Sequence, residues 1–90
     1  MKNIMVGKNT VKDYSAWRTG FDNNAPMQAE YDMHIKGVYQ SKEDPNMVFI
    51  VMEVEDMARA QEMMKKVKES GVQEKAGVIT SERTMCIDVS

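Results

Sequence analysis

The sequence is poor in cysteine and histidine, because Cys86 and His34 are the only residues of their types among 90. A lone cysteine cannot form an internal disulfide, and it excludes a metal or redox site built on several cysteines. No spacing supplies His34 with the partners that a zinc site needs, so we expect no metal. A chain without an internal disulfide is consistent with a reducing compartment, and we expect a cytoplasmic location.

Cofactor and phosphate motifs are missing as well. The sequence has no glycine-rich phosphate loop, no dinucleotide-binding fingerprint, no zinc-binding helix motif and no nucleophile elbow. We therefore expect no cofactor. The 12 Lys and Arg residues are outnumbered by 14 Asp and Glu residues, which gives a formal net charge of -2. This balance does not favour binding to phosphates, so we expect no nucleic-acid partner.

Long apolar runs are also absent. The longest run, Met47 to Met52, is far shorter than the roughly 20 residues that a membrane-spanning helix needs. The first residues reach a polar stretch without the apolar region of a signal peptide. We expect no membrane partner.

The first half of the chain predicts a strand followed by a broken helix. Residues 3–10 alternate, with Ile4 and Val6 on one face and Met5 and Gly7 on the other. Asp13 can cap a helix whose apolar stripe is aromatic. Its members are Tyr14, Trp17 and Phe21. Pro26 should end or kink this helix at residues 23–25, with a second helical piece at residues 27–31.

The second half predicts a hairpin, a helix and a last strand. Strands at residues 34–41 and 47–55 flank a polar turn at 42–46, and the second of them is apolar on both faces. Asp56 should cap a helix that ends at Gly71, with a short helical turn at 72–76 and a strand after Gly77. The apolar side chains on the inward face of that helix are Met57, Ala60, Met63, Met64 and Val67. In the last strand one face carries Arg83, Met85, Ile87 and Val89, and the other carries Thr84, Cys86 and Asp88.

The element order βαββαβ predicts one α+β domain over residues 1–90. Right-handed crossovers convert this order into a ferredoxin-like sandwich, a four-stranded antiparallel sheet with both helices on one face. The helices can cover only one side of the two-faced strand, where Phe49 and Val51 oppose Val48, Ile50 and Met52. We expect a second copy to cover the other side and form a homodimer.

Short motifs along nearly the whole chain strengthen this prediction. They are Val11-Lys12-Asp13-Tyr14 leading to Trp17, the run from Phe21 to Met27, Asp44-Pro45-Asn46, Glu53-Val54-Glu55-Asp56 and Lys75-Ala76-Gly77-Val78. With them the chain resembles the dimeric α+β barrel superfamily, and best an uncharacterised cyclase-like, antibiotic biosynthesis monooxygenase-like branch of it. The resemblance implies two ferredoxin-like sheets packed face to face, with a small ligand held between each sheet and its helices.

The superfamily includes antibiotic-biosynthesis and haem-degrading monooxygenases, polyketide cyclases and muconolactone isomerases, and its fold also serves non-enzymatic roles. In related sequences a histidine often precedes Ala-Pro. This chain has Asn24 there, which weakens an acid or base role at that position.

Four residues are candidates for a ligand pocket. Trp17 could line an aromatic pocket or pack as core, and Asn24 could donate a hydrogen bond to a carbonyl or cap a helix end. His34 is a weak catalytic candidate because histidine exchanges protons near neutral pH, although a structural role is the alternative. Tyr39 could face a pocket, pair across strands or lie in the dimer interface, which is favoured. Cys86 is more simply explained by packing.

Two functions are consistent with these features. The first is a homodimeric small-molecule-binding protein acting as a cofactor-independent monooxygenase, cyclase or isomerase in a cleft between the sheet and the first helix. The alternative is a non-catalytic interaction or regulatory module whose sheet serves dimerisation.

Overall fold

The chain forms a four-stranded antiparallel sheet in which the first and third strands are central and adjacent, with the fourth strand beside the first and the second strand beside the third. A computed structural model describes residues 2–90, apart from the side chain of Val72. The elements are β1 (Asn3–Val11), α1 (Tyr14–Asn23), α2 (Ala25–Glu30), β2 (Met33–Gln40), β3 (Met47–Val54), α3 (Met57–Ser70), α4 (Val72–Lys75) and β4 (Val78–Ile87). The predicted α+β class and ferredoxin-like order are confirmed.

Helices α1 and α3 begin and end at the residues that the sequence predicted, and α2 begins earlier. The side chain of Asp13 accepts a hydrogen bond of 3.2 Å from the amide of Ser15 at the start of α1. Pro26 lies in the first turn of α2, where its missing N–H costs nothing. This placement explains why α2 begins at Ala25, two residues before the position that the sequence predicted. At the far end of α3, Gly71 has a φ of 69° and ends the helix as expected.

The sheet has one covered face and one open face. The covered face packs against the helices, and the buried core there consists of Met5, Val11, Trp17, Tyr31, Met33, Val48, Ile50, Met52, Val54, Ala60 and Met63. The open face carries Phe49 and Val51 of β3, which are only partly buried, beside Ile4 and Val6 of β1. Strand β3 is therefore apolar on both faces, as its sequence predicts.

The end of the chain departs from the predicted pattern. Strand β4 ends at Ile87, and Val89 beyond it is 79% exposed. Met85, on the edge strand β4, is 40% exposed. None of the helices within residues 2–90 has the length and apolar character needed to cross a bilayer.

Candidate ligand-binding cavity

A cavity of about 120 Å³ lies between the covered face of the sheet and the helices α1, α2 and α3. Its floor is formed by the two central strands, with Met5, Ile50 and Met52 contributing apolar side chains. Its size is close to that of the roughly 150 Å³ apolar cavity that accepts benzene in an engineered protein. The cavity therefore has space for a small organic ring.

Gly7 leaves the floor of the cavity open. It lies on β1 opposite Ile50 of β3 and Arg83 of β4, on the covered face of the sheet. A Cβ atom at this position would find no heavy atom closer than 3.9 Å outside its chain neighbours. The free space above Gly7 is thus a consequence of the missing side chain, because no neighbour collapses onto it.

Aromatic and sulfur-bearing side chains form the upper wall. The rings of Trp17 and Phe21 stack with centroids 4.9 Å apart and an interplanar angle of 23°. Methionines line the remainder of this wall: Met27, Met63 and Met64. Flat rings and flexible thioethers can adapt to a planar ligand.

Two buried amides open into this apolar space. Asn9 on β1 and Gln28 on α2 line the cavity, and they are only 7% and 6% exposed. Neither side chain forms a hydrogen bond to another residue in the part of the chain that the structure describes. No buried polar atom of a described side chain is sealed off without a partner, so both amides retain access to the cavity. They can supply hydrogen bonds to a molecule held there.

Arg83 is the charged residue of the cavity wall. It extends from the edge strand β4 on the covered face, and among the side chains that the structure describes it is the only charged one lining the cavity. The other two arginines are paired, Arg18 with Asp22 at 3.0 Å and Arg59 with Asp32 at 2.8 Å. Within residues 2–90 Arg83 has no carboxylate partner, and its guanidinium is available to a ligand.

The structure brings two of the four predicted pocket residues to this cavity. Trp17 lines it while being buried at 4% exposure, so it is both a core residue and a wall of the cavity. Asn24 also lines it, and its side chain does not cap α2. The hydrogen-bonding capacity of Asn24 is therefore not used at the helix end.

The other two predicted pocket residues lie on the open face of the sheet, away from the cavity. His34 Nε2 lies 3.1 Å from Glu55 Oε1 in an exposed pair. The ring of Tyr39 lies over Gly37, and the side chain is 57% exposed. A bulge between Ile35 and Gly37 shifts the register of β2, which places His34 and Tyr39 on the same face despite their odd separation in sequence.

The lining favours binding and orientation over proton transfer by the protein. Of the side chains that line the cavity in the described part of the chain, none is a carboxylate, histidine, cysteine or tyrosine. Residues 2–90 also hold no cluster of three or more His, Cys, Asp or Glu side chains that could bind a metal ion. The remaining groups are amides, a hydroxyl and one guanidinium, which can hold a carbonyl or an oxyanion.

Sequence reasoning missed Asn9, Gln28 and Arg83. One signal was available in β1, where the inward face reads Met5, Gly7 and Asn9. A polar residue and a glycine at successive core-facing positions mark a place where the core is incomplete. Gln28 gave no such signal, because α2 is too short to show a periodic apolar face.

The sequence matches no protein-family model and no curated protein, whereas the fold matches solved structures. A Bordetella bronchiseptica protein described as a candidate antibiotic biosynthesis monooxygenase has a TM-score of 0.80 at 10% identity, over 99% of this chain and 98% of that chain. SnoaB, a cofactor-independent oxygenase from Streptomyces nogalater, has a TM-score of 0.77 at 13% identity, over 99% and 94%. A NIPSNAP family protein from Agrobacterium tumefaciens has a TM-score of 0.70 at 10% identity, over 99% and 94%. At these identities the shared property is the fold.

Proposed function

We propose that this protein is a homodimer that binds a flat organic molecule in the cavity between its sheet and helices. The observation that carries the proposal is the pair of buried amides, Asn9 and Gln28, which open into an apolar cavity without protein partners. Their polar atoms open into the cavity, so a bound molecule can supply the hydrogen bonds that no described residue supplies. A ligand that hydrogen-bonds to both amides gives them a function.

The activity that fits this cavity is the conversion of a small organic substrate without a cofactor, by oxygenation, cyclisation or isomerisation. The likeness in fold to a cofactor-independent oxygenase supports this class. In this chain Trp17 shapes the cavity, and Asn24 helps to orient a carbonyl or oxyanion of the substrate. His34 is on the other side of the sheet and has no role in the proposed chemistry.

A thermal-shift screen of flat aromatic compounds tests the binding proposal. A ligand that binds only the folded protein raises the midpoint by mass action. Gly7→Val places a branched side chain in the cavity, while Thr10→Val, which replaces a hydroxyl by a methyl group on the open face of the same strand, is the control. We expect compounds that stabilise the wild type and Thr10→Val but not Gly7→Val. Stabilisation that persists in Gly7→Val would contradict binding in this cavity.

The homodimer is proposed from the open face of the sheet. Val6 is 36% exposed and pairs with the partly buried Val51, and the exposed ring of Tyr39 lies beside this apolar surface. A two-fold axis can match such a surface to itself. The second copy would cover the apolar side of β3 that the helices leave open.

Light scattering on a sizing column measures the molar mass of the protein in solution and so tests the homodimer directly. We expect a mass of two chains, each of 10.3 kDa. Val6→Lys should give a mass of one chain because it buries a charge in the interface, whereas Val89→Lys makes the same change at an exposed site outside the sheet. A wild-type protein that is monomeric at micromolar concentration contradicts the proposed dimer.

The alternative function is a non-catalytic interaction or regulatory module. Its specific support is the same open apolar face, which does not depend on the cavity. A broad ligand panel without any stabilising compound, together with a dimer that forms normally, would favour this alternative.

A further inference from the structure

We infer that the ligand of this cavity is a planar monoanion whose negatively charged oxygen binds Arg83 while a neutral polar group binds Asn9 and Gln28. The inference rests on the proposed binding function and adds the charge of the ligand to it. It is carried by the placement of Arg83 and by the signs of the charges around the cavity.

Arg83 is placed to meet a molecule that lies on the floor. It is opposite Gly7 in the pairing of β4 with β1, and its Cγ would lie 4.0 Å from a Cβ at Gly7. The stem of Arg83 therefore borders the open space above the glycine. Ser81, two residues earlier on the same face, also lines the cavity and adds a hydroxyl.

The charged side chains that line the cavity and the groove beside it are all cationic. A shallow groove continues from the cavity past Asn24 and Met27, and its charged residues are Lys66 and Lys75. Among the side chains that the structure describes, no carboxylate lines either the cavity or the groove. Lys66 is paired with Glu62 at 3.5 Å and donates a hydrogen bond to Tyr31 Oη, so Arg83 and Lys75 supply the positive charge that no described carboxylate offsets here.

The hydrogen-bonding groups of the cavity predict a ligand with one anionic end and one neutral polar end. A guanidinium without a protein partner can form two parallel hydrogen bonds to a carboxylate, or a charge-assisted bond to a phenolate or enolate oxygen. Asn9 and Gln28 are neutral and buried, and they match an uncharged carbonyl or hydroxyl better than a second charge. The stacked rings of Trp17 and Phe21 favour a flat body between the two ends.

Two probes of nearly the same shape test the charge, 2-naphthoate and 2-naphthamide. Titration calorimetry should show that wild-type protein binds the naphthoate at least about tenfold more tightly than the amide. Arg83→Gln should remove this preference by weakening the naphthoate about tenfold, while the affinity for the amide changes by less than about twofold. Lys65→Gln removes an equal charge from the exposed side of α3 and should leave the preference intact.

The outcomes separate the two levels of the proposal. If the amide binds as tightly as the naphthoate, or if Arg83→Gln weakens both probes equally, the anion inference is overturned and the binding cavity stands. If neither probe binds, or both bind Gly7→Val as tightly as the wild type, the inference and the proposed binding site fail together.

Discussion

Arg83 lies directly opposite Gly7 across the β1–β4 pairing, and its Cγ is 4.0 Å from the point that a Cβ on Gly7 would occupy. The glycine removes a side chain from the middle of the sheet, and the arginine places a long side chain beside the resulting space. Gly7 thus provides open space at the floor of the cavity, and Arg83 provides a positive charge at its edge.

Gly7→Ala should raise the free energy of unfolding by about 0.5–1 kcal/mol, because alanine loses less conformational freedom than glycine on folding. The nearest atoms to the new Cβ, at 3.9 and 4.0 Å, are in ordinary contact distance. Urea unfolding measures the change. A loss of stability instead would mean that the space above Gly7 is already occupied.

Gln28→Met should also stabilise the protein, by about 0.5–2 kcal/mol, because it replaces a buried amide that lacks a protein hydrogen bond with an apolar side chain of similar length. Gln40→Met is the matched control, since Gln40 is exposed and donates a hydrogen bond of 3.1 Å to the carbonyl of Pro45. Gln40→Met should not increase the free energy of unfolding. Destabilisation by Gln28→Met would assign the amide a structural role and weaken the ligand proposal.

Two further glycines should respond to alanine in opposite directions. Gly71→Ala should lower the free energy of unfolding by about 1 kcal/mol, because φ is 69° there and L-residues with a Cβ are strained in that region. Gly20→Ala lies inside α1, where the new Cβ would meet only Ala76 Cβ at 3.7 Å, and should gain about 0.5–1 kcal/mol. Thermal and urea unfolding of both variants test the pair, and equal effects would contradict the difference in backbone conformation.

The fold was predictable because its signals are local. Caps such as Asp13 and Asp56, the helix-ending Gly71 and the two-faced strand β3 each act within a few residues. Such signals define the elements, and the handedness of crossovers then leaves few ways to arrange them. Trp17 was predicted from the aromatic stripe of α1, and Asn24 from the break that Pro26 imposes after that helix.

The cavity was only partly predictable because it depends on contacts between distant strands and helices. Arg83 and Asn9 share the same face of the sheet through the β1–β4 register, which brings residues far apart in sequence together. The sequence left open whether His34 and Tyr39 face a pocket, because it does not show the β2 bulge that sets their facing. A bulge inserts one residue into a strand, so the side chains beyond it point to the opposite face from the one that simple alternation predicts. The sequence of β2 gives no clear signal of this bulge.

Glu53 should make the stability of the protein depend on pH in acid. Its carboxylate lies 3.1 Å from Lys36 Nζ and 3.4 Å from Lys2 Nζ on the open face. The hydrogen bond from Lys36, and then that from Lys2, lower the pKa of Glu53 below its ordinary value of 4.5. A carboxylate whose pKa is lowered by folding stabilises the protein above its unfolded pKa, and this contribution is lost as the pH falls through the folded pKa.

Glu53→Gln should therefore lower the Tm by about 2–4 °C at pH 7, and the difference from the wild type should shrink towards zero as the pH falls below 4.5. Glu43→Gln is the matched control, because Glu43 lies in the exposed turn between β2 and β3 and forms no ion pair with another described residue. Its Tm difference should stay small throughout the same range. A Glu53→Gln difference that persists unchanged at pH 3 would show that the negative charge of Glu53 is not the source of its contribution to stability.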